Sequence, residues 1–277
     1  MIKKTVRESL EPAGTVTRKV TVWPSEADHN RADLVAQEVA VALVYNGICH
    51  AVMMASPIQL EAFARGFSLT EGIINRAEDI YAIDVAAQEQ GIEVALTVSS
   101  QSFMQLKNRR RYLTGRSGCG ICGAQSLEQV RQPLEAINTH FSISHAAIKR
   151  ATSGLTAHQP LQELTGALHV AAWCDGAGNI NNVCEDIGRH NALDKLIGLL
   201  WPEDVLQQPG FLLISSRASY EIVQKAAKAG IAVLAAVSAP TSLAIEIADE
   251  IGMTLVGFSR QNRHVTYTHG HRLTQEE

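Results

Sequence analysis

Two cysteines in a glycine-rich segment are the residues of this sequence best suited to covalent chemistry. Cys119 and Cys122 stand in the run Gly-Cys-Gly-Ile-Cys-Gly over residues 118–123. So many glycines disfavour the interior of a helix or strand, and we therefore predict a mobile loop that lets a sulfur move between partners. Nearby arginines would favour the thiolate and lower its pKa; they are Arg109, Arg110, Arg111 and Arg116. The pattern favours a thiol that carries sulfur.

Two other uses of a Cys-x-x-Cys pair remain open from the spacing alone. A structural zinc site needs two further ligands, usually a second such pair or two histidines. Cys174 and Cys184 do not have that spacing, because nine residues separate them. A dithiol redox motif has the same pattern and is the other alternative. We expect no bound zinc.

A second candidate site lies where a predicted strand ends and a predicted helix begins, at Ser215-Ser-Arg-Ala-Ser-Tyr-Glu221. The backbone amides at a helix start bind phosphate groups. Ser216, Arg217 and Ser219 would add hydroxyl and guanidinium donors to those amides. Capping of the helix by Ser216 or Ser219 is the alternative, and the sequence leaves both open.

The third candidate site is the segment that follows the last predicted parallel strand. Its two arginines and its amide side chains could grip the phosphates and the base edge of a nucleotide. An ordinary solvated loop is the alternative interpretation. The candidate residues are Phe258, Ser259, Arg260, Gln261, Asn262 and Arg263.

A polar run from Glu185 to Lys195 marks another predicted strand-to-helix junction. The two acidic residues at its start, with Arg189 and His190, suggest the rim of a site or a buried polar network, while a salt-bridged surface explains only part of the pattern. His169 lies among apolar residues on the preceding predicted strand. We predict that His169 is a core histidine whose hydrogen bonds are satisfied.

The composition excludes several classes of protein. A hydrophobic share of 46% over 277 residues indicates a globular protein with a substantial core, and a net charge of −4 does not point to nucleic acid or an anionic membrane. No stretch is long and apolar enough for a membrane span or a secretory signal, which predicts a cytoplasmic protein. An odd number of cysteines, five, favours reduced thiols over a disulfide framework.

Hydrophobic patterning predicts a mixed α/β fold in three parts. An α+β domain over residues 1–113 contains a hairpin at Asn46-Gly47 and mostly antiparallel pairing. A mobile loop with the Cys-x-x-Cys pair covers residues 114–140. Residues 141–277 alternate strands and helices, which predicts a mainly parallel sheet between helices. Ligands of such sheets bind at the carboxyl ends of the strands, where the second and third candidate sites lie.

Together these segments resemble the FdhD family of formate dehydrogenase accessory sulfurtransferases. The matches extend over nearly the whole chain and are more specific in combination than a Cys-x-x-Cys pair. They are Val41–Gly47, Gly66–Gly72, Gly115–Gly123, Glu185–Lys195, Ser215–Lys225 and Leu255–Arg263.

The resemblance implies a function in two transfers. Family members accept sulfur from a cysteine desulfurase on the first loop cysteine, here Cys119, and pass it to the molybdenum of the bis(molybdopterin guanine dinucleotide) cofactor. Formate dehydrogenase then receives this cofactor, of which GDP is an analogue. The resemblance places the cofactor-binding segment on Phe258–Arg263 and implies a homodimer. A non-catalytic cofactor-binding chaperone of formate dehydrogenase is the alternative function.

The same resemblance implies a fold for the second half of the chain. The C-terminal domain of the family is similar to the three-layer α/β/α fold of cytidine deaminases, and the element order from Ser144 fits that fold. A zinc deaminase requires His-x-Glu and Pro-Cys-x-x-Cys. Here Ala192 stands two residues after His190, and the second segment reads Ser216-Arg-Ala-Ser219 without cysteine. Deaminase chemistry is therefore excluded, and a scaffold without a zinc site is expected.

Overall fold

A computed structural model describes residues 11–23, 31–114, 134–260 and 263–275, with side chains as far as Lys107 in the second of these ranges. The helices are α1 (Leu60–Thr70), α2 (Ser100–Thr114), α3 (His145–Gly154), α4 (Pro160–Thr165), α5 (Arg189–Leu200), α6 (Tyr220–Lys228) and α7 (Ser242–Glu250). None of the described helices is long and apolar enough to cross a membrane.

Strands outnumber helices and are mostly short. They are β1 (Thr15–Val20), β2 (Arg31–Ala36), β3 (Val39–Tyr45), β4 (Ile48–Ala55), β5 (Ile80–Gln88), β6 (Gly91–Val98), β7 (Ile143–Ser144), β8 (His169–Asp175), β9 (Ile180–Asp186), β10 (Gly210–Ile214), β11 (Val233–Ala236), β12 (Thr254–Arg260), β13 (Arg263–Thr268) and β14 (Leu273–Thr274). β1 pairs with β2, and β7 pairs with β14.

A four-stranded sheet in the order β4-β3-β6-β5 forms the N-terminal part. The predicted hairpin is confirmed: β3 and β4 pair antiparallel, and Asn46 and Gly47 between them both have positive φ, 46° and 80°. Such a turn matches the twist of the two strands. β3 and β6 pair in parallel, and the remaining pairs of this sheet are antiparallel. Helix α1 covers one face of the sheet, with Phe63 and Phe67 in the core.

A six-stranded sheet in the order β13-β12-β11-β10-β8-β9 forms the second half. The prediction of a mainly parallel sheet is wrong, because among the described strands of this sheet only β10, β11 and β12 pair in parallel. At either end a hairpin adds antiparallel pairs, β8 with β9 and β12 with β13. The connections in these hairpins are short, and only a long crossover could return the chain in the parallel direction.

Helices cover both faces of the six-stranded sheet, which confirms the predicted three-layer α/β/α architecture. Alternate residues of β10 show the division: Leu212 and Ile214 pack with α5, α6 and α7, whereas Phe211 and Leu213 pack with α3. Ser144 begins α3 as its N-cap, and its hydroxyl accepts a hydrogen bond from Ala147 N at 3.0 Å. Ser144 is therefore a true cap of this helix.

The two larger sheets share one hydrophobic core, because α1 lies directly against α5. Residues of α1, α5 and both sheets belong to the same buried cluster. Arg65 fixes the crossing further, since its Nη1 donates to Gly198 O at 3.1 Å. The N-terminal part is thus attached to the helix that starts at the candidate site described next.

Candidate functional site

Three helices begin at one edge of the six-stranded sheet. The strands β9, β10, β11 and β12 run in the same direction, so their carboxyl ends lie together. Helices α5, α6 and α7 follow β9, β10 and β11 and therefore start at this edge. The free amides of three helix N-termini favour a negatively charged ligand there. We call this region the carboxyl edge.

The predicted phosphate segment is the loop that joins β10 to α6 at this edge. Arg217 is exposed, and the Ser216 hydroxyl donates to Arg217 O at 3.1 Å. Ser219 occupies the N-cap position of α6, but its hydroxyl makes no capping hydrogen bond. The Ser219 Oγ atom is buried and has no partner among the described residues. Capping by the Ser219 side chain is therefore not what this segment does, and its hydroxyl is left without a hydrogen bond in the described part of the chain.

Backbone hydrogen bonds connect the three loops of the carboxyl edge. Thr241 N donates to Ala218 O at 3.0 Å, which links the loop before α7 to the loop before α6. Phe258 N donates to Ser238 O at 3.0 Å, which links the end of β12 to the same loop before α7. Phe258 adopts a positive φ of 50°, a conformation that an aromatic residue rarely adopts without support from its surroundings.

The third predicted segment is only partly directed toward the edge. Arg260 and Arg263 are exposed and face each other across the β12–β13 pair. Ser259 is fully buried, and its Oγ lies 2.7 Å from Thr152 Oγ1 on α3. Its hydroxyl thus holds α3 to the sheet. Gln261 and Asn262 lie outside the described residues.

The polar run after β9 contains a buried network, one of the two arrangements predicted for it. Lys195 Nζ lies 2.6 Å from Asp186 Oδ2, and both side chains are fully buried. Asp186 also accepts hydrogen bonds from Ser56 N at 3.0 Å and from Asn191 Nδ2 at 3.0 Å. Ser56 follows β4, so this network joins the N-terminal sheet to the start of α5.

Two residues of the same run reach the carboxyl edge. His190 Nε2 lies 2.8 Å from Glu221 Oε2, and Arg189 Nη2 lies 3.7 Å from the same oxygen. The pKa of the Glu221 carboxyl is lowered, first by its hydrogen bond with His190 and then by the charges of His190 and Arg189. Burial acts in the opposite direction and raises that pKa. This cluster connects the first turns of α5 and α6 beside the phosphate segment.

The structure corrects the prediction for His169. The residue is half-buried, and neither ring nitrogen has a hydrogen-bond partner within the described part of the chain. Burial lowers its pKa, and the positive charges of Arg189 and His190 lower it further. His169 lines an open cleft of about 550 Å³ at the carboxyl edge, together with Gln159 and Ser215. Sequence patterning missed this cleft, because the stretch 156–169 that supplies most of its lining contains no motif, and Ser215 joins that stretch only in the fold.

A family model described as the FdhD/NarQ family matches residues 36–274. The chain belongs to this family. The resemblance inferred from the motifs is thereby confirmed.

A relative from Cupriavidus necator, named sulfur carrier protein FdhD, is 49% identical over 266 residues, which cover 96% of this chain and 92% of the relative. A crystal structure from Desulfotalea psychrophila, provisionally named a formate dehydrogenase accessory protein, aligns with a TM-score of 0.72 at 23% identity. The alignment covers 94% of this chain and 99% of that one, which shows a common fold.

One motif that carried the FdhD resemblance, residues 66–72, serves packing in this structure. Thr70 Oγ1 donates to Asp194 Oδ1 at 2.7 Å. Lys225 Nζ lies 2.9 Å from both Asp194 Oδ2 and Glu71 Oε1. This network joins α1, α5 and α6 and supports the positions at which two of the edge helices begin.

The cysteines of this FdhD/NarQ chain differ in environment. Burial raises the pKa of Cys174 and raises that of Cys184 to about 12, so both are poor nucleophiles. Cys49 on β4 is exposed. Cys119 and Cys122 lie outside the described residues.

The ranges that the structure describes contain His, Cys, Asp and Glu side chains, which are the usual protein ligands of metal ions. Within them, no three His, Cys, Asp or Glu side chains come close enough together to hold a metal ion. Because Cys119 and Cys122 are not among the described residues, the expectation of no zinc on this pair stays a prediction.

Proposed function

We propose that this chain is a sulfurtransferase in the maturation of formate dehydrogenase. Cys119 accepts sulfur from a cysteine desulfurase as a persulfide and passes it to the molybdenum of the bis(molybdopterin guanine dinucleotide) cofactor, which formate dehydrogenase then receives. Membership of the FdhD/NarQ family and a close relative named as a sulfur carrier protein support this proposal. We expect the chain to act in the cytoplasm as a homodimer.

The environment of the cysteines is the observation that carries the sulfur part of the proposal. Two thiols are buried with raised pKa values, which leaves Cys49 and the loop pair as candidate nucleophiles. Cys49 lies on a sheet strand, whereas Cys119 stands between glycines and follows a run of arginines. A persulfide carrier must reach both a donor and an acceptor, and the loop sequence suits that requirement better.

The first transfer is a thiol exchange at sulfur. The Cys119 thiolate attacks the outer sulfur of the desulfurase persulfide and forms a new S–S bond. The S–S bond of the donor breaks, and the desulfurase cysteine leaves as a thiolate, so that no external oxidant is required. Cys122 is proposed to resolve or shield the persulfide on Cys119.

The carboxyl edge supports the nucleotide part of the proposal. Three helix N-termini meet there with the exposed Arg217, Arg260 and Arg263. Amides and guanidinium groups are the donors that bind diphosphates best. The cofactor is the substrate of the transfer, and its diphosphate would bind at this edge while its metal receives the sulfur.

Complementation of a bacterial strain that lacks its own copy of this protein tests the proposal. We expect the wild-type chain to restore formate dehydrogenase activity and Cys119→Ala to restore none. Cys122→Ala should restore part of the activity under reducing conditions, and Cys49→Ala, the control for an exposed thiol, should restore all of it. Full activity with Cys119→Ala would favour the non-catalytic chaperone instead.

A further inference from the structure

Two histidines from distant parts of the chain form a direct contact between α3 and β13. Nδ1 of His145 lies 2.7 Å from Nε2 of His264, and the two rings stack with their centroids 4.9 Å apart and their planes 20° apart. Both side chains are half-buried. One of the two facing nitrogens must carry a hydrogen and the other must accept it, so the contact requires that at least one ring is neutral.

The elements that carry and flank this pair are rich in positive charge. Neither α3, β12 and β13 nor the short strands β7 and β14 contain an Asp or a Glu. His145 is the first residue of α3, where the helix dipole adds further positive charge. The charged and titratable residues of these elements and of the turn after β13 are Lys149, Arg150, Arg260, Arg263, His269, His271 and Arg272.

Carboxylates do occur on α7, the other helix that contacts β13, but α7 covers the opposite face of the sheet from α3. They are Glu246, Asp249 and Glu250. Burial lowers the pKa of His264, and the charge of His145 lowers it further. A second proton on the histidine pair is therefore disfavoured as long as the contact holds.

Helix α3 holds β12 and β13 through different contacts. On β12, Ser259 Oγ lies 2.7 Å from Thr152 Oγ1, and hydroxyl groups of this kind do not titrate near neutral pH. On β13 the contact is made by His264. β13 is an edge strand, and two register shifts interrupt its pairing with β12, which weakens the ladder that holds it. The attachment of β13 to α3 thus depends on the protonation of a histidine.

We propose that the contact between His145 and His264 is a pH-dependent switch that fixes β13 to α3 and releases it on acidification. The inference goes beyond the proposed function and does not depend on it. Once β13 separates from α3, His264 meets water and regains the ordinary histidine pKa of about 6.5, so the open state binds a proton that the closed state disfavours. The contact is therefore complete above about pH 6.5 and is progressively lost below it.

Hydrogen exchange of the full chain at pH 7.5 and pH 5.5, corrected for the intrinsic effect of pH on exchange, tests the switch. One unit below the ordinary pKa, a proton taken up by the open state alone favours opening about tenfold. We expect the β13 amides to exchange about tenfold faster at pH 5.5 and the amides of the central strand β10 to be unchanged.

Two variants assign this effect to the histidine pair. His264→Gln keeps a side chain that can form a hydrogen bond with His145 but does not titrate, so the acceleration at pH 5.5 should disappear. His140→Gln is the matched control, because this exposed histidine lies outside the pair and its loss should leave the tenfold effect in place. An acceleration that persists in His264→Gln would assign the pH dependence to other groups and overturn the proposal.

An NMR titration of the wild-type chain makes the test independent of how the variant folds. We expect the ring resonances of His145 and His264 to titrate in two coupled steps, with the second step below pH 6.5. Two independent steps near pH 6.5, with β13 amides that exchange equally at both pH values, would overturn the switch and leave the proposed function intact.

Discussion

Gly66 on α1 and Gly198 on α5 lie at the crossing of the two helices, where a side chain on either would overlap the other helix. A Cβ atom on Gly66 would lie 1.8 Å from Asp194 O, and one on Gly198 would lie 1.9 Å from Ala62 O. The crossing attaches the N-terminal sheet to α5, whose first turn lies at the carboxyl edge. The glycine of a family motif is thus explained by packing.

The close crossing predicts that Gly198→Ala destabilises the protein strongly. The added methyl group forces the two backbones apart, and we expect a loss of about 3 kcal/mol or more. Urea unfolding measures the change. Gly154→Ala is the control, because its Cβ would meet only Ile180 Cδ1 at 3.9 Å and should change stability by less than about 1 kcal/mol. Equal, small effects at both positions would mean that the helices do not approach this closely.

The buried ion pair predicts a large cost for Lys195→Met. The substitution leaves the Asp186 carboxylate buried without its cation, which typically costs about 3–5 kcal/mol. Chemical unfolding of both proteins at pH 7 gives the difference. Lys149→Met, at an exposed position of α3, is the control and should cost under about 0.5 kcal/mol. If the two lysines proved equally dispensable, the network would not hold the N-terminal sheet to α5.

The thiol environments predict a clear order of alkylation in the native protein. At pH 8 a thiol with a pKa of about 12 is ionised in roughly one molecule in ten thousand. We therefore expect Cys174 and Cys184 to stay unlabelled while Cys49 reacts, and all three to react in urea. Peptide mass spectrometry over a time course measures this. Native labelling of Cys184 as fast as that of Cys49 would contradict the burial.

The carboxyl edge predicts that its arginines contribute to nucleotide affinity. Each charged phosphate contact contributes about 1.5–3 kcal/mol, so Arg217→Ala and Arg263→Ala should each weaken GDP about ten- to a hundredfold. Cys119→Ala should bind GDP normally, because the sulfur meets the metal end of the cofactor. Calorimetry with these variants decides the matter. GDP affinity unchanged in both arginine variants would mean that the nucleotide binds elsewhere.

Local signals in the sequence predicted many of the elements. The Asn46-Gly47 turn specified its hairpin, and the apolar residues spaced along Arg189–Leu200 are typical of the helix α5 that forms there. Helix α2 was missed, because the basic run that ends it has no apolar stripe. The direction of strand pairing was also missed, since it depends on which strands become neighbours in space.

The candidate site was less predictable than the fold. Because Arg217 follows a predicted strand, the sequence predicted that it lies at the carboxyl edge. The burial of Ser259 could not be predicted in this way, because it depends on a contact with Thr152 on a distant helix. Gln159 and His169 line one cleft, yet no motif in the sequence links them. Periodicity and motif spacing describe neighbours along the chain, so contacts of this kind remain hidden until the fold is known.

The central claim is that Cys119 carries sulfur as a persulfide, and mass spectrometry tests this claim most directly. The full chain is incubated with a cysteine desulfurase and free cysteine, then digested without reductant and fragmented to separate Cys119 from Cys122. We predict that Cys119 gains the mass of one sulfur atom, that reductant removes it, and that Cys119→Ala acquires none in this loop. Sulfur found only on Cys49 or Cys122, or on no cysteine of a chain that still matures formate dehydrogenase, would contradict the account.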